Sequence, residues 1–507
     1  MRKITLAIVL IVIGAGLFCN LMNSGPTNDE HLYVTSGVLV NSHPLYSGFP
    51  FSHWPGVPLL LNGAYHLTGS SWFYLTAKLV ACGALLLTGL AFYRIFRLLT
   101  EDRTTSVLLL ILSMVNYDLM DCLSEVWSAS LALPVGLFAV YFLFSSVSES
   151  RIRPWGVALS GLLVALAADT RAIYVVFAVP IFLILLLFPR GLPFRRRVVR
   201  LVLPFVGGVL IGLVPTLYYL LTRPNAFLFD TLAFFRENAA WFVQWSDSVT
   251  LSGKLNFIKD SWKHFSNAGL TLLLLFLAIH RVDTSASLRE ALRRLLGMRS
   301  LLCIMLFLAA VAGTAVVTPL WSYYLATPIA ILIILAATWL KAVRGDGQER
   351  SVQSVLISVT ALCIIFGAAN VAGNLPSLLA PSQWPCIAVH RKALELRNEI
   401  QAGGATGKVA TMYPIYAIEA GLPIYAPLAG GQIFYRVGDQ ITPEERARFG
   451  FTSPSTLAAL LESDPPVAVL VSQVPMEHDL DLPLVRFAEA YHYRKVPCGD
   501  MVLYLRE

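Results

Sequence analysis

Charged residues are scarce in this chain of 507 residues. Asp, Glu, Lys and Arg make up 14% of it, hydrophobic residues make up 56%, and the mean hydropathy is +0.66. Soluble globular domains carry about 25% charged residues, so the composition excludes a purely soluble globular protein. An aromatic content of 11% also excludes a disordered chain. The net charge of +7 fits either nucleic acid or a membrane as partner, and the positions of the charges decide between them.

Long hydrophobic runs fill the first three quarters of the chain. A span across a bilayer needs roughly 17–25 residues. We identify eleven candidate spans, at about 4–22, 72–93, 104–117, 123–144, 155–168, 171–188, 198–221, 267–280, 301–318, 321–340 and 352–373. The first run follows Arg2-Lys3 but is longer than the apolar core of a typical signal peptide, so we expect it to be retained.

Basic residues are concentrated in alternate connections between these runs. One set, which includes the N-terminus, holds 20 Lys and Arg, and the opposite set holds 6. The positive-inside rule then predicts a cytosolic N-terminus and an outer location for everything after residue 373. Segment 283–299 is predicted to be a helix lying on the inner leaflet. Because the basic residues form no single face and no nucleic-acid motif is present, we expect no nucleic-acid partner.

Two soluble pieces are predicted on the outer side. Loop 23–71 contains no Lys or Arg, and region 374–507 has an ordinary globular composition. The sequence therefore predicts a transmembrane module over 1–373 and an outer α/β domain over 374–507. Within the outer domain, strands are predicted at 408–413, 467–472 and 501–506, with helices at 386–402, 455–463 and 484–492.

Cysteine and glycosylation patterns add little. Cys386 and Cys498 both fall in the outer domain, where the sequence allows a disulfide without requiring one. The chain has no Asn-x-Ser/Thr site, which favours a bacterial inner membrane over a eukaryotic lumen.

An acid pair, Asp29-Glu30, follows the outer end of the first span. A carboxylate at a membrane surface with no cation in its own loop has a tunable pKa, which suits a general base for a hydroxyl or a cation ligand. The alternative is that Asp29 caps a helix beginning near Glu30.

The first loop resembles that of a known superfamily. The acid pair is followed by Tyr33, by Pro44-Leu45-Tyr46, by a Pro-rich stretch and by a Gly before the second span. This order resembles the first outer loop of the GT-C glycosyltransferases, and within them the protein O-mannosyltransferases and the aminoarabinose transferase of lipid A. Ser124-Glu125 and Tyr323-Tyr324-Leu-Ala-Thr-Pro328 resemble later, more degenerate signatures.

The resemblance implies a polytopic GT-C fold and glycosyl transfer at the outer membrane surface. The donor would be a polyprenyl-phosphate-linked sugar, and the acceptor a hydroxyl of a lipid, protein or polysaccharide. Asp29 would be the base, and Glu30 would orient the acceptor or share a metal. The superfamily is mixed in metal dependence, so a divalent cation stays open.

A phosphate-linked donor needs a cation for its leaving group. Arg171 is the main candidate, with an ion pair to Asp169 as the alternative. Arg223 is a weaker candidate, as is Lys78, which could instead extend to the interface. Tyr323 and Tyr324 match an aromatic position of the superfamily and could bind the phosphate or belong to an interfacial belt.

Three acids and four histidines complete the list of candidate site residues. Asp118, Asp121 and Glu125 share one face if that segment is helical. They could bind a cation or sugar hydroxyls, or two of them could cap the fourth span, and we favour a functional role only for Glu125. The spacing of the histidines matches no recognised metal pattern; they are His31, His43, His53 and His66.

A transporter or lipid flippase is the competing function, because eleven spans also suit it. Transporters often show internal repeats and charges near the bilayer midplane. Here the acids gather at the predicted outer ends and no repeat is visible, which favours an interfacial enzyme.

Overall fold

The fold is described from a computed structural model of the chain, which covers residues 2–148, 152–246, 249–283, 296–344, 349–404, 406–474 and 476–507. The chain forms two compact units. The first unit comprises 1–21, 82–215 and 246–376, and the second comprises 22–81, 216–245 and 377–507. The predicted division at residue 373 stays a prediction. In this description the first loop belongs to the same unit as the C-terminal region.

Apolar helices make up the first unit, and three of them extend into the second. Their bounds are Arg2–Asn23, Phe73–Thr100, Arg103–Met114, Tyr117–Cys122, Ser128–Ser146, Pro154–Thr170, Ala178–Leu187, Leu203–Gly212, Val214–Thr222, Leu251–Ser261, Phe265–Asp283, Met298–Val316, Ala326–Arg344 and Glu349–Ala372. A 3-10 turn at Ala172–Phe177 precedes one helix, and Phe194–Arg197 leads through a π-helical turn into another.

The predicted hydrophobic runs all correspond to apolar helices, but eleven spans are not confirmed. Among the described residues, five helices are long and apolar enough to cross a membrane, or up to seven if two bent pairs each count as one span. The bends measure 56° near residue 213 and 83° near residue 263. The remaining runs form shorter apolar helices of 10–17 residues. The predicted helix at 283–299 lies mostly outside the described residues.

Glycines allow two helices of the first unit to approach closely. A Cβ on Gly161 would overlap the backbone of Phe205, and one on Gly208 would overlap the backbone of Ala158. Small residues at such interfaces let helices pack where the surroundings offer no hydrophobic driving force.

The second unit combines short helices with one small sheet. Its helices are Asn28–Leu39, Gly56–Thr68, Pro224–Leu228, Phe234–Val243, Pro385–Ala402, Pro414–Glu419, Gln432–Tyr435, Pro443–Phe449, Leu457–Ser463 and Leu482–Ala490. The strands are β1 (Val409–Thr411), β2 (Ala468–Ser472), β3 (Arg494–Cys498) and β4 (Met501–Leu505), in the order β1-β2-β4-β3. Only β1 and β2 are parallel.

The predicted strands and helices of the C-terminal region are all present. The sequence missed β3, because Arg494 and Lys495 are exposed and Pro497 cannot donate to the ladder. These are features of an edge strand, which lacks the buried apolar pattern. Cys386 and Cys498 are both buried and unbonded, so the structure contains no disulfide between them.

Candidate functional site

A capping box fixes the start of helix Asn28–Leu39. Thr27 is the N-cap: its Oγ1 accepts the Glu30 backbone N–H (3.4 Å), and Glu30 Oε2 accepts the Thr27 backbone N–H (3.1 Å). This reciprocal pair satisfies two backbone donors at the helix start. Asp29 lies inside the first turn and is half-buried. The alternative that Asp29 caps this helix is therefore wrong.

Glu30 forms a fully buried ion pair. Its Oε1 lies 2.8 Å from Lys78 Nζ, and its Oε2 accepts the Tyr74 hydroxyl at 2.8 Å. Glu30 and Lys78 both have zero exposed side-chain area, so Lys78 does not extend to an interface as the sequence allowed. The contacts of Glu30 hold the first loop to helix Phe73–Thr100.

A second buried acid meets the beginning of that helix. Glu419 Oε1 accepts the Tyr74 backbone N–H at 2.6 Å, and its Oε2 lies 2.5 Å from His390 Nδ1. The Trp72 ring stacks on His390 with centroids 3.8 Å apart. Burial raises the pKa of Glu419, although the hydrogen bonds from Tyr74 and His390 oppose the rise.

Other groups of the first loop have structural contacts. Arg223 donates to Ser47 Oγ and lies 3.5 Å from the Leu45 carbonyl. The Phe51 backbone N–H donates to Asp230 Oδ2 at 2.8 Å, and complete burial raises the Asp230 pKa well above its ordinary value. Arg223 and Asp230 thus hold the first loop to segment 216–245 within the same unit.

The histidines of the first loop do not form a cluster. Burial lowers the pKa of His31 to about 3, so its imidazole is neutral. His43 contacts Ser42, and His66 contacts Asn41. Across the described ranges, no group of three or more His, Cys, Asp or Glu side chains could hold a metal ion.

In the first unit, Arg171 lies against two tyrosine rings. Its Cζ is 4.3 Å from the Tyr324 ring centroid and 5.1 Å from that of Tyr323. The two rings stack at 4.7 Å, and Trp127 lies 4.1 Å from Tyr323. Arg171 is 8% exposed. The structure therefore brings together three of the predicted phosphate-binding residues, although Arg171 is 152 positions from Tyr323 in the sequence.

The acids near the fourth span have different surroundings. Helix Tyr117–Cys122 carries Asp118 and Asp121 and ends before Glu125, which is half-buried. Asp118 accepts from Ser261 Oγ (2.9 Å) and Asn267 Nδ2 (2.6 Å), and burial raises its pKa to about 6.

Neither of these aspartates caps the fourth span. Asp121 accepts from Ser322 Oγ at 2.5 Å, next to the tyrosine pair. Asn116 caps the short helix, and Trp127 occupies the cap position of helix Ser128–Ser146. The capping alternative for these acids is wrong.

Sequence reasoning missed the partners of these groups. Tyr74, Glu419 and His390 were not candidates, and neither were Ser261 and Asn267. Each contact joins segments far apart in the chain, and no local spacing signals it. A buried Lys in the second predicted span was the one available hint, because an intramembrane ion needs a partner.

Comparison with known proteins agrees with the first-loop resemblance. The family model of dolichyl-phosphate-mannose-protein mannosyltransferases matches residues 50–220. No curated protein sequence matches the chain significantly.

Solved structures match over nearly the whole chain. ArnT from Cupriavidus metallidurans bound to undecaprenyl phosphate has a TM-score of 0.62 at 12% identity, covering 99% of this chain and 97% of that chain. The apo form of the same protein has a TM-score of 0.61 at 12% identity, with the same coverage. The Archaeoglobus fulgidus oligosaccharyltransferase in complex with Zn and sulfate gives 0.52 at 12% identity, covering 92% and 67%.

These proteins are GT-C glycosyltransferases, so the GT-C fold that the resemblance implies is confirmed. At 12% identity, these structural matches establish the fold of the chain but not its substrates. The chain is a multi-pass membrane protein with the fold of the GT-C glycosyltransferases.

Proposed function

We propose that this protein transfers a sugar from a polyprenyl-phosphate-linked donor to an acceptor hydroxyl at the outer face of the membrane. The fold supports glycosyl transfer, and ArnT, which shares the fold, was crystallised with undecaprenyl phosphate. The distribution of basic residues supports an outer location for the first loop and the C-terminal region.

The contrast between Asp29 and Glu30 is the observation that carries the proposal. Glu30 is fully buried and accepts from Thr27, Tyr74 and Lys78. Asp29 is half-buried on the same helical turn, which that network fixes. Of the acid pair, only Asp29 has the exposure that a base for an incoming hydroxyl needs. We therefore assign Asp29 as the base and Glu30 as a positioning residue.

The reaction then proceeds by inversion at the sugar. The acceptor hydroxyl gives its proton to the Asp29 carboxylate as its oxygen forms a bond to the anomeric carbon. The bond between that carbon and the phosphate oxygen breaks, and the polyprenyl phosphate leaves with the bonding electrons.

Arg171 stabilises the departing phosphate in this proposal. A planar guanidinium suits two phosphate oxygens at once, and the rings of Tyr323 and Tyr324 fix its orientation. Glu125 is proposed to bind sugar hydroxyls, and Arg223 to assist through the first loop it contacts.

The activity is tested with purified full-length protein in lipid bicelles. Radiolabelled polyprenyl-phosphate sugars are supplied with lipid, glycan and peptide acceptors, and transfer of label to the acceptor is measured. Asp29→Asn serves as the inactive variant. Glu444→Gln is the matched control, because Glu444 is also an acid in the first turn of a helix of the second unit but is exposed.

Transfer by the wild type and the control but not by Asp29→Asn supports the proposal. Failure of the folded wild type with every donor and acceptor contradicts it, and movement of the unmodified lipid across the bilayer of sealed proteoliposomes would favour the flippase.

A further inference from the structure

A distant carboxylate caps the N-terminus of helix Phe73–Thr100. The Tyr74 backbone N–H donates to Glu419 Oε1 at 2.6 Å, across 345 positions of sequence. The first N–H groups of a helix have no partner inside it, and an anion at this end is stabilised by the helix dipole. Glu419 therefore helps to fix where this helix begins.

The same helix carries both side chains that hold Glu30. Tyr74 and Lys78 are four residues apart, so they project from one face. The Tyr74 hydroxyl and Lys78 Nζ each lie 2.8 Å from a different oxygen of Glu30. A shift of the helix start moves both contacts together, and with them the turn that contains Asp29.

Glu419 is itself held by a buried histidine. Its second oxygen lies 2.5 Å from His390 Nδ1, and the His390 ring stacks on Trp72, just before the helix begins. Glu419 is 3% exposed and His390 5%. Each carboxylate oxygen thus has a defined partner, which leaves the side chain little freedom.

We infer that Glu419 and His390 are positioning residues for glycosyl transfer, acting through Tyr74 and Glu30 to place Asp29. The inference rests on the proposed function for its catalytic consequence. It makes the C-terminal region part of the catalytic apparatus, because that region supplies both residues. It also explains why a membrane-surface enzyme would bury an acid and a histidine so far in sequence from its base.

Glu419→Ala tests the catalytic consequence in the full-length protein. We expect kcat to fall roughly 10- to 100-fold, because small displacements of a base have effects of this size. The KM for the donor should change by less than about threefold, since the change affects the transition state more than donor binding. Glu419→Gln keeps an acceptor for the Tyr74 N–H and should recover part of the loss.

Glu462→Ala is the matched control. Glu462 also accepts from a tyrosine of the second unit, the Tyr491 hydroxyl at 2.8 Å, but it is exposed and outside this chain of contacts. Its kcat should equal that of the wild type.

Hydrogen exchange gives a readout that does not need activity. Amides of peptide 24–39 should exchange faster in Glu419→Ala than in the wild type. Their exchange rates in Glu462→Ala should equal those of the wild type. His390→Gln, a milder change, should act in the same direction and covers the case in which Glu419→Ala does not fold.

The outcomes separate the two proposals. Wild-type kcat and exchange in folded Glu419→Ala overturn the inference, even if Asp29→Asn is inactive and the proposed function stands. Full activity of Asp29→Asn overturns the proposed function, whereas the exchange result still decides whether Glu419 positions the first loop.

Discussion

Lys78 in the second unit and Arg171 in the first are both buried cations, but they are held in different ways. Lys78 has no exposed side-chain area and lies 2.8 Å from a Glu30 oxygen. Arg171 keeps 8% exposure and lies over the faces of Tyr323 and Tyr324. An ion pair neutralises a charge within the fold, whereas an aromatic face orients a cation without itself cancelling the charge.

The proposed function gives these two cations different roles. The sequence offered both residues as phosphate candidates. The contacts of Lys78 assign it to the support of the first loop, and those of Arg171 fit the proposed role toward a phosphate. A cation's partners are therefore more informative than its predicted depth in the membrane.

Removal of the Lys78 charge should have the largest effect on stability. Lys78→Met leaves the Glu30 carboxylate buried without its cation, which costs about 3–5 kcal/mol. Thermal unfolding in detergent measures the loss. The double variant with Glu30→Gln should recover much of it, because no charge then remains buried.

Arg236→Met is the control for Lys78. Arg236 pairs with Glu237 at 2.7 Å, but its side chain is 81% exposed, and exposed pairs contribute little. An equal loss of stability in Lys78→Met and Arg236→Met would show that burial does not make the Lys78 ion pair more important than an exposed one.

Removal of the Arg171 charge should affect activity more than stability. For Arg171→Gln we expect kcat/KM for the donor to fall roughly 100- to 1,000-fold, the usual result of removing one group that stabilises a developing negative charge. Arg190→Gln is the matched control, because Arg190 also lies over an aromatic ring, that of Phe188 at 5.1 Å. Wild-type kinetics in folded Arg171→Gln would remove Arg171 from the donor site.

Loss of one ring under Arg171 should have a smaller effect. Tyr324→Leu removes a cation–π contact of roughly 0.5–2 kcal/mol, or about 2- to 30-fold in donor affinity. Tyr324→Phe keeps the ring and isolates the hydroxyl. Phe188→Leu makes the same change under Arg190 and should leave the donor affinity unaltered; a drop there as well would point to a general loss of packing.

The smallest expected effect concerns Asp230, which is buried like Glu30. Glu30 is paired with Lys78, whereas burial raises the pKa of Asp230. Unfolded Asp230 ionises near its ordinary pKa of 3.8, and the folded protein holds the proton to higher pH. The folded state therefore binds more protons in that window, and stability falls as pH rises through it.

Asp230→Asn removes this dependence. The melting temperature of the variant minus that of the wild type should be larger at about pH 8 than at about pH 5. Exposed Asp479→Asn is the control. A difference that does not change with pH would show that Asp230 is ionised in the folded protein.

Local patterns in the sequence predicted much of the fold. Long apolar runs located the helices, and short apolar segments located β1, β2 and β4, because both signals lie within neighbouring residues. The edge strand β3 was missed for lack of a buried face.

The site was less predictable from the sequence. The superfamily resemblance pointed to Asp29, and its order of motifs pointed to Tyr323 and Tyr324, which the structure places beside Arg171. The partners of Glu30 depend on tertiary packing between the first loop, helix Phe73–Thr100 and the C-terminal region. Nothing in the spacing of Glu419 relative to Tyr74 signals their hydrogen bond.

The transfer rate of Asp29→Asn, measured beside donor binding in the same bicelles, tests the central claim most directly. The substitution keeps the side-chain volume and the Thr27–Glu30 capping box, so the fold and the donor affinity should be retained. Loss of a general base lowers rates about 100- to 10,000-fold. We therefore expect the transfer rate to fall by at least about 100-fold, while the donor affinity stays at the wild-type value. A wild-type transfer rate in the folded variant would contradict the assignment of Asp29 as the base.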